Sequence, residues 1–147
     1  MLACTFFGHR DCPASVRCRL HQVLTELIER RGVTVFYVGN QGRFDAMAYA
    51  VLNELKATHP EVICRIVLAY MPRKPADGGP DTLLPAGLEN VPKRFAIDRR
   101  NRWMIEQADF VVTYVTHPWG GAAKFAAIAQ KRGRTICPLG ELEAQKP

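Results

Sequence analysis

Residues Tyr114–Gly133 read YVTHPWGGAAKFAAIAQKRG, and they pass from the end of an apolar strand into a helix. The pair Gly120–Gly121 lies between the two, where the N–H groups at the start of a helix can hold a phosphate. Gly133 is a natural stop for the helix. A strand, a glycine turn and a helix in this order are the repeating unit of a parallel α/β sheet, so this stretch indicates the fold class.

The same unit recurs along the whole chain. Segments rich in Val, Ile, Phe and Thr predict five strands, at Leu2–Phe7, Thr34–Val38, Val62–Tyr70, Asp109–Val115 and Arg134–Leu139. Apolar residues at helical spacing predict helices between them, over 16–32, around 47–60, over 92–107 and over 121–133. The pattern predicts a Rossmann-like three-layer α/β sandwich with a mostly parallel sheet of five or more strands.

The length of 147 residues suits one domain, which we place over residues 1–140, with residues 141–147 as a tail. Residues 70–91 form the predicted irregular loop, which is rich in proline and glycine. Such a loop is either a functional lid or a surface insertion that covers an edge of the sheet.

Composition limits the classes of partner. The chain is 48% hydrophobic and 23% charged, and it has no apolar run long enough to span a membrane. Its N-terminus predicts a first strand rather than a signal peptide. The five cysteines show no CxxC spacing, which favours a reducing cytoplasm over disulfides or zinc, and we expect no metal and no cofactor. The net charge of +6 allows an anionic partner, either nucleic acid or a small phosphate ligand.

Ligands of parallel sheets bind at the carboxyl ends of the strands, and polar loops leave several of these ends. After the first strand come Gly8, which allows a tight turn, His9, which can donate a hydrogen bond, and Arg10, which can hold a phosphate or carboxylate. The alternative is a plain strand–helix turn in which Asp11 caps the helix.

The other predicted site residues come from three more segments. Gly39 and Asn40 precede the second helix and can expose N–H groups to an anion, while Asp45 either complements the helix dipole or binds a ligand hydroxyl. Arg100 shares a helix face with Ala96 and Met104, so we expect it to point into the cleft. The neighbouring basic residues of that helix would face water or nucleic acid. Gly120 and Gly121 complete the predicted site.

The motifs resemble the SLOG superfamily, which joins the DNA-processing protein A domain, the Lonely Guy (LOG) phosphoribohydrolases and the YpsA-like proteins. Gly8-His9-Arg10 resembles the Gly-x-Arg turn of a YpsA-like bacterial branch, and GNQGRFD (residues 39–45) loosely resembles its later glycine motif. Arg100, Met104, Asp109 and the Gly120–Gly121 pair resemble the LOG pattern. The resemblance implies a Rossmann-like fold, a nucleotide-derived ligand and, since LOG relatives commonly dimerise, a homodimer.

This sequence lacks the catalytic glutamate of the LOG pattern. The glutamate that serves N-glycosidic bond cleavage in that family aligns with Ala127, and alanine can act neither as a base nor as a carboxylate stabiliser. Asp45 is the candidate catalytic residue in its place, with Glu89 and Asp98 as further carboxylates. We therefore expect a binding domain for a nucleotide or an ADP-ribose-like phosphorylated ligand, with a sensor role. The alternatives are a nucleotide N-glycosidase or phosphoribohydrolase, and a protein that binds single-stranded nucleic acid with Phe95 and Trp103, unless these rings belong to the core.

Overall fold

The computed structural model describes residues 1–71 and 81–140. Strands and helices alternate along these residues. The strands are β1 (Leu2–Gly8), β2 (Val33–Val38), β3 (Ile63–Val67), β4 (Thr82–Leu83), β5 (Phe110–Tyr114) and β6 (Thr135–Pro138). The helices are α1 (Val16–Arg31), α2 (Gly42–Thr58), α3 (Lys93–Gln107) and α4 (Gly121–Lys131), with a 3₁₀ turn at Leu88–Asn90.

The six strands form one sheet in the order β4-β3-β2-β1-β5-β6, and every neighbouring pair is parallel. The chain moves outward from β1 to β4 on one side, then crosses to β5 and β6 on the other. The order therefore reverses between β1 and β5, and a crevice forms at the carboxyl ends of strands at such a point. The predicted Rossmann-like α/β fold with a mostly parallel sheet of five or more strands is confirmed.

Both faces of the sheet are covered by helices, which gives three layers. Alternate side chains of β1 point to opposite faces, so Phe6 packs in a core with residues of α1 and α2, while Phe7 packs with residues of α3 and α4. Residues Ala3–Phe7 are all buried. Continuous burial explains why the strand has an unbroken apolar sequence rather than an alternating one.

The predicted loop 70–91 is partly regular. Thr82 and Leu83 form β4, which pairs with Ile66 and Val67 of β3 and extends the edge of the sheet. Thr82 and Leu83 are therefore part of the sheet, as its outermost strand on this side. Two residues are too few to show an alternating pattern, so no strand was predicted here. Residues 72–80 and the predicted tail at 141–147 lie outside the described residues.

Two local expectations are modified. Helix α1 begins at Val16 after Ser15, so Asp11 does not cap it. Helix α2 begins at Gly42, five residues before the first apolar residue of its predicted stripe, Met47. None of the helices within the described ranges is both long and apolar enough to cross a membrane.

Candidate functional site

A cleft of about 420 Å³ opens at the carboxyl ends of β1 and β5, where the strand order reverses. It brings together most of the residues predicted from the sequence, which are Gly8, His9, Arg10, Asp45, Arg100, Gly120 and Gly121. The remaining two, Gly39 and Asn40, do not line it: Gly39 lies close to Asp45 and Arg100, and the exposed Asn40 accepts a hydrogen bond from Arg100. The sequence analysis missed other lining residues, among them Asp11, Gln41, Asn101, His117 and Phe125.

Arg10 lies across the start of α2. Its Nη2 donates to Oε1 of Gln41 at 2.9 Å, and its carbonyl accepts a hydrogen bond from the N–H of Arg43 at 3.0 Å. Gly42 has a positive φ of 87°, and a Cβ there would lie 2.8 Å from Cγ of Arg10. Glycine at 42 is therefore required both by its backbone conformation and by the close approach of the arginine. The side chain of Arg10 is exposed, so its guanidinium can receive a ligand.

The start of α2 is less open to an anion than the sequence suggests. The N–H of Gln41 donates to Oδ2 of Asp45 at 2.9 Å, and the N–H of Arg43 is taken by the carbonyl of Arg10. Asp45 thus satisfies the first turn of its own helix, which was one of its two expected roles. Because two amides are already engaged, the N-terminus of α2 contributes less to an anion site than that of α4 described below.

Arg100 is 2% exposed and supports the floor of the cleft. Its Nε donates to Oδ1 of Asn101 at 2.8 Å, and its Nη1 donates to Oδ1 of Asn40 at 3.0 Å and to the carbonyl of Val67 at 2.9 Å. The predicted helix face is confirmed, since Ala96 and Met104 are buried beside it. Arg100 lines the cleft, as expected from its helix face, and most of its donors bind groups of the protein itself.

Glycine at position 39 lets Asp45 and Arg100 approach. A Cβ at this position would lie 2.7 Å from Oδ2 of Asp45 and 3.3 Å from Nη1 of Arg100. Burial raises the pKa of Asp45 to about 6, although the N–H of Gln41 and the charges of Arg100 and Arg10 favour the carboxylate. Burial likewise lowers the pKa of Arg100, while the charge of Asp45 acts in the opposite direction. The floor of the cleft therefore holds a carboxyl group that can change its protonation near neutral pH.

Gly8 has a packing role rather than a turn role. A Cβ on this residue would lie 2.3 Å from the ring of Phe44, which is buried in the core. Gly8 does not have a positive φ. Among the glycines of the described residues, positive φ angles occur at positions 32, 42, 87, 120 and 133. Glycine at position 8 thus lets α2 pack directly on the end of β1.

His9 is held in one tautomer. The N–H of Thr116 donates to its Nε2 at 3.0 Å, so Nε2 carries no proton and Nδ1 carries it in the neutral ring. Burial lowers the pKa of His9, and the neighbouring His117 lowers it further. The neutral ring therefore has an Nδ1–H donor, and the predicted role of His9 as a donor to a ligand remains a prediction.

Three rings stack beside the cleft. The centroids of His9 and His117 are 3.7 Å apart with 13° between the planes, and those of His117 and Trp119 are 4.0 Å apart with 18° between the planes. Nδ1 of His117 also lies 3.0 Å from the carbonyl oxygen of Trp119. His9 is buried at one end of the stack, while Trp119 is 66% exposed at the other. The sequence positions of His117 and Trp119, in an irregular loop, do not predict that His117 stacks on His9. This stacking depends on β1 and β5 being neighbours.

Helix α4 opens onto the cleft at its first turn. Gly120 precedes the helix with a φ of 93°, no side chain caps it, and a Cβ on Gly121 would meet open space. Gly120, Gly121 and Ala122 line the cleft at the start of α4, where the first N–H groups have no partner within the helix and the positive end of the helix dipole lies. Such a helix start is suited to bind an anion, and the role predicted for Gly120 and Gly121 remains a prediction.

No carboxylate of α4 faces the cleft. The helix presents Ala122 and Phe125 to it, whereas Ala127 is exposed and does not line it. Of the other carboxylates considered, Glu89 is exposed in the 3₁₀ turn, and Asp98 pairs with Arg102 and Lys124 on the surface. Asp45 is thus the one of the three that lines the cleft.

The aromatic residues Phe95 and Trp103 of α3 differ in their burial and in their contacts. The sequence left open whether both rings belong to the core or stack on bases; Phe95 is 49% exposed, with the guanidinium of Arg94 over its ring. Trp103 is half-buried and packs edge-on against Tyr37 of β2. In the ranges 1–71 and 81–140, no group of three or more His, Cys, Asp or Glu side chains is placed to hold a metal ion.

No protein-family model matches the sequence, and no curated protein matches it. Solved structures of similar fold include two DNA processing proteins. DNA processing protein A from Streptococcus pneumoniae has a TM-score of 0.68 and 16% identity, and the match covers 94% of this chain and 50% of that one. DNA processing protein A from Helicobacter pylori, described for its single-stranded DNA binding mode, has a TM-score of 0.58 and 16% identity, with coverages of 93% and 64%.

The chain thus spans half to somewhat under two thirds of these neighbours. At 16% identity the likeness establishes the Rossmann-like fold. The neighbours are DNA-processing proteins of the superfamily that the motifs resemble, whereas the comparisons do not show the YpsA-like branch. The chain is therefore similar in fold to the DNA-processing protein A domain.

Proposed function

We propose that this chain binds single-stranded nucleic acid, with one backbone phosphate held in the cleft between Arg10 and the first turn of α4. This reverses the order of the sequence-based hypotheses, in which a free nucleotide-derived ligand came first. The Helicobacter pylori neighbour is described as binding single-stranded DNA, and this chain has a net charge of +6.

One observation carries the proposal. The exposed guanidinium of Arg10 and the uncapped start of α4 face the same cleft from two different strands, because β1 and β5 are neighbours. A guanidinium matches the geometry of a phosphate, and helix amides add donors that need no change of conformation. Phosphate contacts of this kind supply most of the affinity of proteins that bind nucleic acid without sequence preference.

A free phosphorylated nucleotide is the second candidate ligand. The cleft volume of about 420 Å³ lies within the range of ordinary small-molecule sites, and an ADP-ribose-like ligand presents the same phosphate chemistry. A sensor of such a ligand would use the same Arg10 and α4 contacts. Cleavage of the ligand is less favoured, because the Oδ2 atom of Asp45 is engaged by the N–H of Gln41 and α4 supplies no carboxylate.

Fluorescence anisotropy with a labelled single-stranded oligonucleotide at several salt concentrations tests the proposal. We expect Arg10→Ala to weaken binding about ten- to a hundredfold, as the loss of a charged hydrogen-bonded contact does, and to reduce the salt slope by about one. Arg132→Ala is the matched control, since this exposed arginine pairs with Glu106 at the far end of α4. It should change affinity less than about twofold.

Thermal shifts with mononucleotides separate the two ligands. Stabilisation by a mononucleotide without binding of the oligonucleotide would replace the nucleic-acid proposal with the free-nucleotide one. Chromatography of the incubated nucleotide would reveal a released base if the chain is a hydrolase. Absence of binding in both assays would overturn both candidates.

A further inference from the structure

The stacked rings of His9, His117 and Trp119 form a platform whose outer end is open. His117 lies between the other two rings, with centroid distances of 3.7 and 4.0 Å. The inner face of the Trp119 indole is therefore covered by an imidazole, while the residue as a whole remains 66% exposed. Large side chains with this much exposure are normally mobile on a surface, but this indole is restrained by stacking on its inner face.

The backbone of the platform is also fixed. Nδ1 of His117 lies within hydrogen-bond distance of the Trp119 carbonyl, at 3.0 Å, and the N–H of Thr116 is held by His9. Gly120 then turns the chain with a φ of 93° into α4. The indole thus directly precedes the residues that open the anion site of α4, and it has a defined orientation beside that site.

We infer that the outer face of Trp119 receives a nucleobase of the strand whose phosphate lies in the cleft. The inference rests on the proposed function and names a second contact of the same ligand. A nucleobase fits for two reasons: its flat π-face matches the exposed indole, and a phosphate linked to it can reach the adjacent start of α4. Stacking of this type accepts any base, so the platform would hold nucleic acid without reading its sequence.

Two oligonucleotides can distinguish base stacking on Trp119 from phosphate binding in the cleft. One is an ordinary single strand, and the other has the same length and the same phosphates but carries abasic tetrahydrofuran units in place of nucleosides. Wild-type protein should bind the base-bearing strand about five- to a hundredfold more tightly. Trp119→Ala should remove most of this preference and leave the affinity for the abasic strand within about twofold.

Two further variants complete the test. Trp119→Phe should recover most of the affinity for the base-bearing strand, because it retains an aromatic face. Arg10→Ala should weaken binding of both strands by a similar factor, because it removes a phosphate contact. Since Trp119 is largely exposed, its variants should keep the wild-type melting temperature, which establishes that they fold.

The outcomes distinguish the platform from the proposed function. If wild-type protein binds both strands equally, or if Trp119→Ala weakens both strands equally, the phosphate site stands and the platform is refuted. If the wild-type protein binds neither strand, the proposed function fails and the platform fails with it. A larger effect of Trp119→Ala on self-association than on binding would assign the indole to contact with a second copy, and would also refute the platform.

Discussion

The carboxyl group of Asp45 should make the stability of the fold depend on pH. Burial raises its pKa from 3.8 to about 6, a difference of about 2 units. One unit corresponds to about 1.4 kcal/mol, which gives about 3 kcal/mol at most. Because the side chain is only half-buried, solvent screening reduces this figure, and we expect about 1–3 kcal/mol.

The direction follows from the raised pKa. A proton on Asp45 is held more tightly in the folded protein than in the unfolded chain, so protonation stabilises the fold. This stabilisation is fully present below pH 3.8 and is lost as the pH rises through about 6. Asp45→Asn mimics the neutral form and can still accept the hydrogen bond from Gln41. The free energy of unfolding of the variant minus that of the wild type should therefore increase from pH 4 to pH 7.

Urea unfolding of both proteins at intervals between pH 4 and pH 7 measures this difference. Asp98→Asn is a control of opposite character, since a hydrogen bond from Lys124 and a second from Arg102 lower the pKa of Asp98. The stability that this carboxylate contributes is lost only as the pH falls below the ordinary pKa of an aspartate. The free energy of unfolding of Asp98→Asn minus that of the wild type should therefore stay nearly constant from pH 4.5 to pH 7. A level difference for Asp45→Asn would refute the reasoning, and a decreasing one would show that Arg100 and the amide of Gln41 outweigh burial.

Three further predictions concern the cleft and its supports. Arg100→Ala should lower the free energy of unfolding by about 3 kcal/mol or more, because it leaves Oδ1 of Asn101 and the carbonyl of Val67 buried without their donor and removes the part-buried bond to Asn40, whereas Arg102→Ala should cost less than about 1 kcal/mol; equal losses in urea unfolding would contradict this. Gly8→Ala should destabilise by about 1–3 kcal/mol because its Cβ would overlap a buried phenylalanine ring, while Gly121→Ala, whose Cβ meets open space, should melt close to wild type; a stable Gly8→Ala protein would show that α2 shifts freely. Affinity for single-stranded DNA should increase as the pH falls from 7.5 to 5.5, since protonation removes a negative charge from the cleft, and anisotropy titrations should find this increase diminished in Asp45→Asn. An equal increase in the variant would assign the pH dependence to the histidines instead.

The layered α/β fold was readable from the sequence because its signals are local. Continuous burial of β1 and β5 requires unbroken apolar runs, and the helices require one apolar face and a stop such as Gly32, which has a φ of 71°. The helical spacing of Ala96, Arg100 and Met104 likewise predicted that Arg100 lies on the buried face of α3. Strand β4 was not predicted, because two residues are too few to show a periodic pattern.

The candidate site could be predicted only in part, because only some of its features depend on local sequence. Carboxyl ends of parallel strands meet at one edge, so the glycine and arginine turns could be assigned to one cleft from chain order alone. Which partner each group finds depends on neighbours distant in sequence. The engagement of Arg100 by Asn40 and Val67, and the packing of Gly8 on Phe44, arise from the order of the sheet.

The sequence by itself determined the alternation of strands and helices, the face of each helix and the absence of a carboxylate at Ala127. Only the tertiary structure decided that β1 and β5 are neighbours, which creates the ring stack that ends at Trp119, and that Asp45 is buried enough for its pKa to be raised. The physical reason is that burial, charge interactions and stacking act over a few ångströms in space. Positions 9 and 117 are far apart along the chain, and they come within that distance only when the sheet has formed.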